Sequence, residues 1–253
     1  MVYQILGPLR VVKDGHVHTI KAHKVKTLLA VLLIRGNQIV STEQLFAELW
    51  EDAPPRRATA GVHVYVSQLR KFLAQSMATQ DQLITRAPGY LLEVGSDELD
   101  LMVFRRLMQK GRASMRARHY EEASGAFSVA LDMRQGPVLD DLRDSEVVTR
   151  FAAWFEELWL ECAELLVESN FFLGRHREMV SFLYGLAGDH PLHEAFYRQL
   201  MLALYRCERR ADALQVYTAA RGTITSELGL EPCLALRELH YAILRGDDDR
   251  LAG

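Results

Sequence analysis

The stretch from residue 56 to residue 73, RRATAGVHVYVSQLRKFL, places hydrogen-bond donors and basic groups at helical spacing. Read as a helix, it has one apolar stripe, which consists of Val62, Val66, Leu69 and Leu73. A second stripe is polar and consists of His63, Ser67 and Arg70, with Gln68 and Lys71 beside it. Such a helix can enter the major groove of DNA, which is wide enough to admit it. A solvated surface helix fits the same pattern, so the choice between a DNA-binding helix and a surface helix depends on the rest of the sequence.

Residue type divides the polar side into two kinds of possible DNA contact. The basic candidates for phosphate contacts are Arg57, Arg70 and Lys71. Polar side chains can reach base edges once phosphate contacts hold the helix in place, and these candidates are His63, Ser67 and Gln68. Tyr65 is open between a contact to the DNA backbone and packing within the domain.

Charge is distributed unevenly along the 253 residues. Residues 1–95 carry 11 Lys and Arg against 7 Asp and Glu, whereas the remainder carries 19 against 26. The first part therefore has a net charge of +4 and the second −7, although the whole chain has only −3. The modest basic excess permits DNA binding without demonstrating it, and the acidic remainder suggests a different kind of partner.

The elements around the basic helix have a characteristic order. Three short strands are predicted over residues 2–20, with an Asp-Gly hairpin turn. A helix over 24–35 follows, and then a helix that begins with a capping box of Ser41 and Gln44. The basic helix comes next, and residues 83–94 are predicted to form a second hairpin. Three strands, three helices and a hairpin make a winged helix-turn-helix.

This winged helix resembles the output domain of OmpR/PhoB-type response regulators. The residues that carry the resemblance are Leu28-Leu29 with Gly36, Val40-Ser41, Leu45, Trp50, Arg57, the run from Val64 to Lys71, and Arg86 with Gly89-Tyr90. The resemblance implies that Arg86, at the tip of the hairpin, enters the minor groove, where A·T tracts concentrate negative potential. No phosphoacceptor domain precedes the winged helix in this sequence, so a phosphorylation switch is not expected.

Residues 96–253 have helical periodicity and contain a repeat. Similar segments begin at Tyr120, His176 and Arg210, and the last two are separated by 34 residues, the length of a tetratricopeptide repeat. The longer first interval contains the aromatic residues Phe151, Trp154, Phe155 and Trp159. Their spacing favours an elongated core helix over a ligand-binding platform.

Two further stretches, Gly136 to Leu142 and Ser226 to Leu244, resemble the bacterial transcriptional activation domain, an all-helical module with tetratricopeptide-like repeats. A winged helix followed by this module is similar to the Streptomyces antibiotic regulatory protein family of pathway-specific activators. The resemblance implies a mainly α protein with a small β part and with domains at 1–95 and 96–253. It also implies binding to direct repeats in double-stranded DNA, recruitment of RNA polymerase holoenzyme, a dimer on DNA, and control of an antibiotic or other secondary-metabolite cluster.

Other chemistry has little support in the sequence. His190 and His193 stand in an HPLH segment at an expected repeat boundary, with no carboxylate or cysteine cluster beside them, which disfavours a metal site. The three cysteines form no CxxC pair. The motifs GxSxG, GxGxxG and GxxxxGK[ST] do not occur, so we expect neither an enzyme nor a cofactor. Without a signal peptide or an apolar stretch of about 20 residues, a soluble cytoplasmic protein is expected.

The sequence therefore predicts a DNA-binding transcriptional activator. The alternative is a tetratricopeptide-type interaction scaffold whose basic domain binds an acidic protein. The short loop from Glu51 to Arg56 is predicted to be exposed, and Glu51 and Asp52 are predicted to contact polymerase from it without disturbing the core.

Overall fold

The computed structural model describes residues 2–50, 55–76, 82–95 and 98–247. Its strands are β1 (Val2–Gln4), β2 (Arg10–Lys13), β3 (His16–His18), β4 (Val40–Ser41), β5 (Leu83–Arg86) and β6 (Gly89–Leu92). Its helices are α1 (His23–Ile34), α2 (Thr42–Trp50), α3 (Ala58–Ser76), α4 (Asp100–Arg116), α5 (Tyr120–Asp132), α6 (Glu146–Phe172), α7 (His176–Asp189), α8 (Glu194–Arg206), α9 (Arg210–Leu228) and α10 (Leu234–Arg245). The predicted mainly α class with a small β part is confirmed.

Two compact units share the chain. The first consists of residues 1–110 and 128–160, and the second of residues 111–127 and 161–253. The sequence predicts a domain boundary between residues 95 and 96, where the predicted winged helix ends and the predicted helix pairs begin. This boundary stays a prediction. The long helix α6 contributes its first part to one unit and its second part to the other. None of the helices in the described part of the chain is long and apolar enough to cross a membrane.

The first sheet has the antiparallel order β1-β2-β3. Lys13 pairs with His16, so the hairpin between β2 and β3 has a two-residue loop. Both loop residues have positive φ, 50° at Asp14 and 79° at Gly15. This is the backbone that an Asp-Gly pair adopts most readily in a hairpin, as the sequence predicted.

Helices α1, α2 and α3 pack on one another through their apolar sides. The buried residues of α1 include Leu28, Leu29, Leu32 and Leu33. The predicted capping box at the start of α2 is present: the Ser41 amide donates to Gln44 Oε1 at 3.0 Å, and the Gln44 amide donates to Ser41 Oγ at 3.1 Å. Two amides that the helix itself cannot satisfy thus obtain acceptors.

The second sheet has the order β4-β6-β5. We define the wing as the hairpin of β5 and β6 in this sheet. Strand β4 joins the wing to the helices, with Val40 opposite Tyr90 and Ser41 opposite Gly89. A Cβ atom at Gly89 would lie 1.9 Å from the Val40 carbonyl oxygen. Only glycine therefore allows β4 to approach β6 this closely.

Buried carboxylates in the first unit bind backbone amides far away in the sequence. Asp100 Oδ2 accepts from the amides of Ile5 at 2.8 Å and Leu6 at 3.0 Å, and its Oδ1 accepts from the Leu101 amide at 2.8 Å. The buried Glu48 of α2 accepts from Ser145 Oγ at 2.5 Å and from the Val147 amide at 3.0 Å. The winged helix thus has hydrogen-bond partners beyond residue 95, which a fragment ending there would lack.

The second unit contains helices α7 to α10, of which α7 packs on α8, α8 on α9, and α10 on both α8 and α9. The predicted repeat starts at Tyr120, His176 and Arg210 are the first residues of α5, α7 and α9. The aromatic stretch of the first interval lies in α6, a helix of 27 residues. In that stretch Phe151 and Phe155 are buried, whereas Trp154 is 40% exposed with the Arg105 guanidinium 4.8 Å from its ring centre.

The buried Asp100 gives a test of the link between the N-terminal strands and α4. Asp100→Ala removes the acceptor of the backbone amides of Ile5, Leu6 and Leu101. We therefore expect the free energy of unfolding to fall by about 2–3 kcal/mol. Burial raises the pKa of the Asp100 carboxyl to about 6, against the opposing effect of the backbone donors of Leu6, Ile5 and Leu101. Because this value exceeds the unfolded value of 3.8, the folded state binds the proton more tightly.

Wild-type stability should therefore rise, relative to an Asp100→Asn variant, as the pH falls from about 6 to about 4. Urea unfolding of both proteins at several pH values measures this difference. Parallel pH profiles for the two proteins would contradict the assignment to Asp100.

Candidate nucleic-acid interface

Helix α3 buries the predicted apolar stripe and exposes the predicted polar residues. The buried residues are Val62, Val66, Leu69 and Leu73. The exposed candidates are His63, Ser67, Gln68, Arg70 and Lys71. Arg56 and Arg57 lie in an exposed turn just before the helix, which begins two residues later than Arg56 and extends to Ser76.

The exposed residues of α3 do not share one direction. At about 100° per residue, Val64 and Lys71 point within about 20° of the direction opposite the buried stripe. Ser67 and Gln68 lie about 50° to either side of that direction, and His63 and Arg70 lie about 90–110° from it. The outward face of α3, which we define as Ala60, Val64, Ser67, Gln68 and Lys71, is therefore centred on a valine. Sequence reasoning missed Val64, although its phase relative to the apolar stripe was available.

Arg70 connects α3 to the wing. Its Nε and Nη2 atoms donate to the Leu83 carbonyl oxygen at 3.2 Å and 3.0 Å, and Nη2 also donates to Thr85 Oγ1 at 2.8 Å. Both acceptors belong to β5. The sequence assigned Arg70 only a phosphate contact; the structure gives its planar fork a second role, in which it fixes β5 against α3. The two N–H groups on Nη1 are not needed for these bonds and can reach a phosphate.

Arg86 ends β5, and the register pairs it with Gly89. Its side chain is exposed, as are Ala87 and Pro88 in the loop between them. Arg86 therefore stands at the tip of the wing, where the resemblance had placed it, while Arg70 holds Leu83 and Thr85 of the same strand.

On the opposite flank of α3, aromatic rings fill the space between α2 and α3. The ring centres of Trp50 and Tyr65 are 5.8 Å apart, and those of Phe46 and Trp50 are 6.1 Å apart. A Cβ atom at Gly61 would lie 3.0 Å from the Trp50 ring, so glycine permits this close packing. The contact favours the packing alternative for Tyr65, and Trp50 itself is half-buried. The predicted polymerase contacts Glu51 and Asp52 lie outside the described residues.

His193 of the HPLH segment has a partner that sequence reasoning missed. His193 Nε2 lies 2.6 Å from Glu164 Oε1, a carboxylate 29 residues earlier in the chain. Within the described ranges, no group of three or more His, Cys, Asp and Glu side chains could hold a metal ion. Burial raises the pKa of the Cys162 thiol to about 12, which keeps this sulfur protonated and unreactive.

Two family models match this chain. The model for the bacterial transcriptional activator domain matches residues 99–244, and the model for the C-terminal domain of transcriptional regulatory proteins matches residues 20–92. The regulatory protein DnrI of Streptomyces peucetius is 32% identical over 98% of this chain and 93% of its own length. The chain belongs to the Streptomyces antibiotic regulatory protein family. RedD of Streptomyces coelicolor, a transcriptional regulator of this family, is 33% identical over 96% of this chain and 70% of RedD.

The transcriptional regulatory protein EmbR of Mycobacterium tuberculosis is 35% identical over 96% of this chain, but the chain spans only 63% of the length of EmbR. The solved structure of EmbR in complex with a low-affinity phosphopeptide has a TM-score of 0.92 at 34% identity, over 97% of this chain and 65% of the EmbR chain. The family is one of transcriptional regulators, and its two matched domains are regulatory rather than enzymatic.

The link between Arg70 and β5 can be tested without DNA. Arg70→Ala removes three hydrogen bonds, worth about 1–2 kcal/mol together, so amide hydrogen exchange in β5 should become roughly tenfold faster. Arg70→Lys should not restore protection, because an ammonium group lacks the planar fork. Lys71→Ala, which removes a neighbouring outward charge, is the matched control. Unchanged exchange in Arg70→Ala would show that β5 is held by other contacts.

Proposed function

We propose that this chain is a sequence-specific DNA-binding transcriptional activator that places α3 in the major groove and the tip of the wing in the adjacent minor groove. The observation that carries the proposal is the exposed outward face of α3, held by Arg70 at a fixed position relative to the wing. The basic charge of residues 1–95 supports the same assignment.

The proposed contacts follow from position and residue type. Arg57, Lys71 and the free edge of Arg70 contact phosphates and set the register of the helix. Ser67 and Gln68 contact base edges because they flank the centre of the outward face. His63 contacts a base or the adjacent backbone from the flank, and Arg86 enters the minor groove. Tyr65 packs on Trp50 and supports the helix from the flank opposite Arg70.

The activating part of the proposal rests on family membership and on charge. Residues 96–253 carry a net charge of −7, which is unfavourable for DNA but suitable for protein contacts, and stacked helix pairs offer extended binding faces. We infer that two copies bind direct repeats about one helical turn apart and recruit RNA polymerase holoenzyme. The target is an operon for a secondary metabolite such as an antibiotic, as expected for relatives of DnrI and RedD.

Footprinting on the DNA that flanks its own gene tests the proposal. We expect protection of tandem sites, with binding that weakens steeply as salt increases and that prefers the promoter fragment over a random duplex. The competing interaction-scaffold function predicts no such preference. Equal affinity for promoter and random DNA would therefore exclude the activator and leave the scaffold.

The outward face predicts two kinds of variant. Gln68→Ala or Ser67→Ala should reduce the preference for operator over random DNA by about 1–3 kcal/mol, because a base contact is lost. Lys71→Ala should weaken binding to both DNAs about equally and lower the salt slope by about one unit, because a phosphate contact is lost. Fluorescence anisotropy titrations at several salt concentrations measure both effects. If Gln68, Ser67 and Lys71 variants all behaved alike, the division of roles on this face would be wrong.

The proposed polymerase contact predicts that DNA binding and activation separate. Glu51→Ala with Asp52→Ala should keep operator affinity within about 0.5 kcal/mol of wild type, as expected for surface changes away from the contacts. The same double variant should lower transcription with purified polymerase. Operator affinity and transcription should be measured on the same protein preparation, so that both values refer to the same fraction of active protein. Unchanged transcription would remove the loop from the polymerase interface, and lost affinity would place it on DNA.

A further inference from the structure

An apolar side chain stands at the centre of the outward face of α3. Val64 is 51% exposed, although Val62 and Val66 on the same helix are buried. Its direction is nearly opposite that of the buried stripe, so it contributes nothing to the core that the stripe forms. Ala60, one turn earlier on the same line, is also exposed.

Exposure of a single valine is ordinary, because much of every protein surface is apolar. Val17 on β3, for example, is 54% exposed and lies outside the outward face of α3. Val64 differs in two respects. It lies between polar and basic residues that face outward with it, and as a β-branched residue it is a poorer helix former than alanine at an exposed position. Neither core packing nor helix propensity therefore accounts for a valine here.

The chemistry of the major groove supplies a partner for this side chain. Among the groups that the four base pairs present there, the C5-methyl group of thymine is the apolar one. Val64 lies at the centre of the outward face and Ser67 and Gln68 lie about 50° to either side of it, so a helix that turns this face into the groove brings all three side chains toward the base edges. His63 and Arg70, about 90–110° away, point along the groove wall toward the DNA backbone. A stiff, branched side chain such as valine loses little rotamer freedom when it makes such a contact.

We propose that Val64 recognises a thymine in the operator by contact with its C5-methyl group, between the hydrogen-bonding positions of Ser67 and Gln68. This inference rests on the proposed placement of α3 in the major groove. It adds an apolar contact to a recognition face whose other members select by hydrogen bonds and charge.

The test replaces each thymine of the footprinted operator in turn by deoxyuridine, which removes only the methyl group. Wild-type protein should lose about three- to tenfold in affinity at one thymine per half-site, as expected for one buried methyl group. Val64→Ala should bind the unmodified operator correspondingly more weakly and should show no further loss at that same position. The Val64 side chain is exposed, so this variant should fold, and its thermal unfolding checks that it does.

Val17→Ala is the matched control, because it removes an equally exposed valine outside α3. It should keep the full sensitivity to deoxyuridine. The proposal is overturned if wild type tolerates every replacement, or if Val64→Ala loses as much affinity as wild type at the sensitive thymine. Specific operator binding combined with either of those results overturns only the methyl contact. A wild-type protein that shows no preference for any operator overturns both this inference and the proposed function.

Discussion

The burial of one stripe of α3 determines the geometry of the whole candidate interface. A helix of 19 residues that packs Val62, Val66, Leu69 and Leu73 into the core has no rotational freedom left, because a turn about its axis would expose these side chains to water. The face opposite the stripe is thereby fixed toward solvent. The two flanks are then occupied by specific contacts, Arg70 to β5 on one side and Tyr65 to Trp50 on the other.

These two flanks serve different purposes. The aromatic flank, with glycine at position 61, sets how closely α2 approaches α3. The Arg70 flank sets where the wing stands, because a guanidinium group binds a carbonyl and a hydroxyl of the same strand with a fixed geometry. A wing held in this way keeps Arg86 at a constant offset from the outward face of α3. In the proposed placement on DNA, this constant offset would let both grooves be contacted without the cost of ordering the wing during binding.

Buried carboxylates make the first compact unit continuous across the predicted domain boundary. Asp100 satisfies amides of the N-terminal residues, and Glu48 satisfies groups at the start of α6, where a carboxylate also interacts favourably with the helix dipole. Removing either acceptor would leave buried donors unsatisfied. The N-terminal strands and α2 are therefore coupled to residues of the helical module through acceptors that cannot be lost without a penalty.

The sequence by itself determined the order of elements, the buried stripe of α3, the capping box at Ser41 and the starts of the helical repeats, because each depends on spacing or on neighbours within a few residues. It also identified the family, through motifs spread along the chain. Only the tertiary structure decided that Arg70 holds β5, that Glu164 lies beside His193, and that Asp100 binds the amides of Ile5 and Leu6. These partners are 13 to 95 residues apart. Residue types alone do not determine which distant donors and acceptors meet, because each polar group has many chemically equivalent partners in the sequence and packing selects among them.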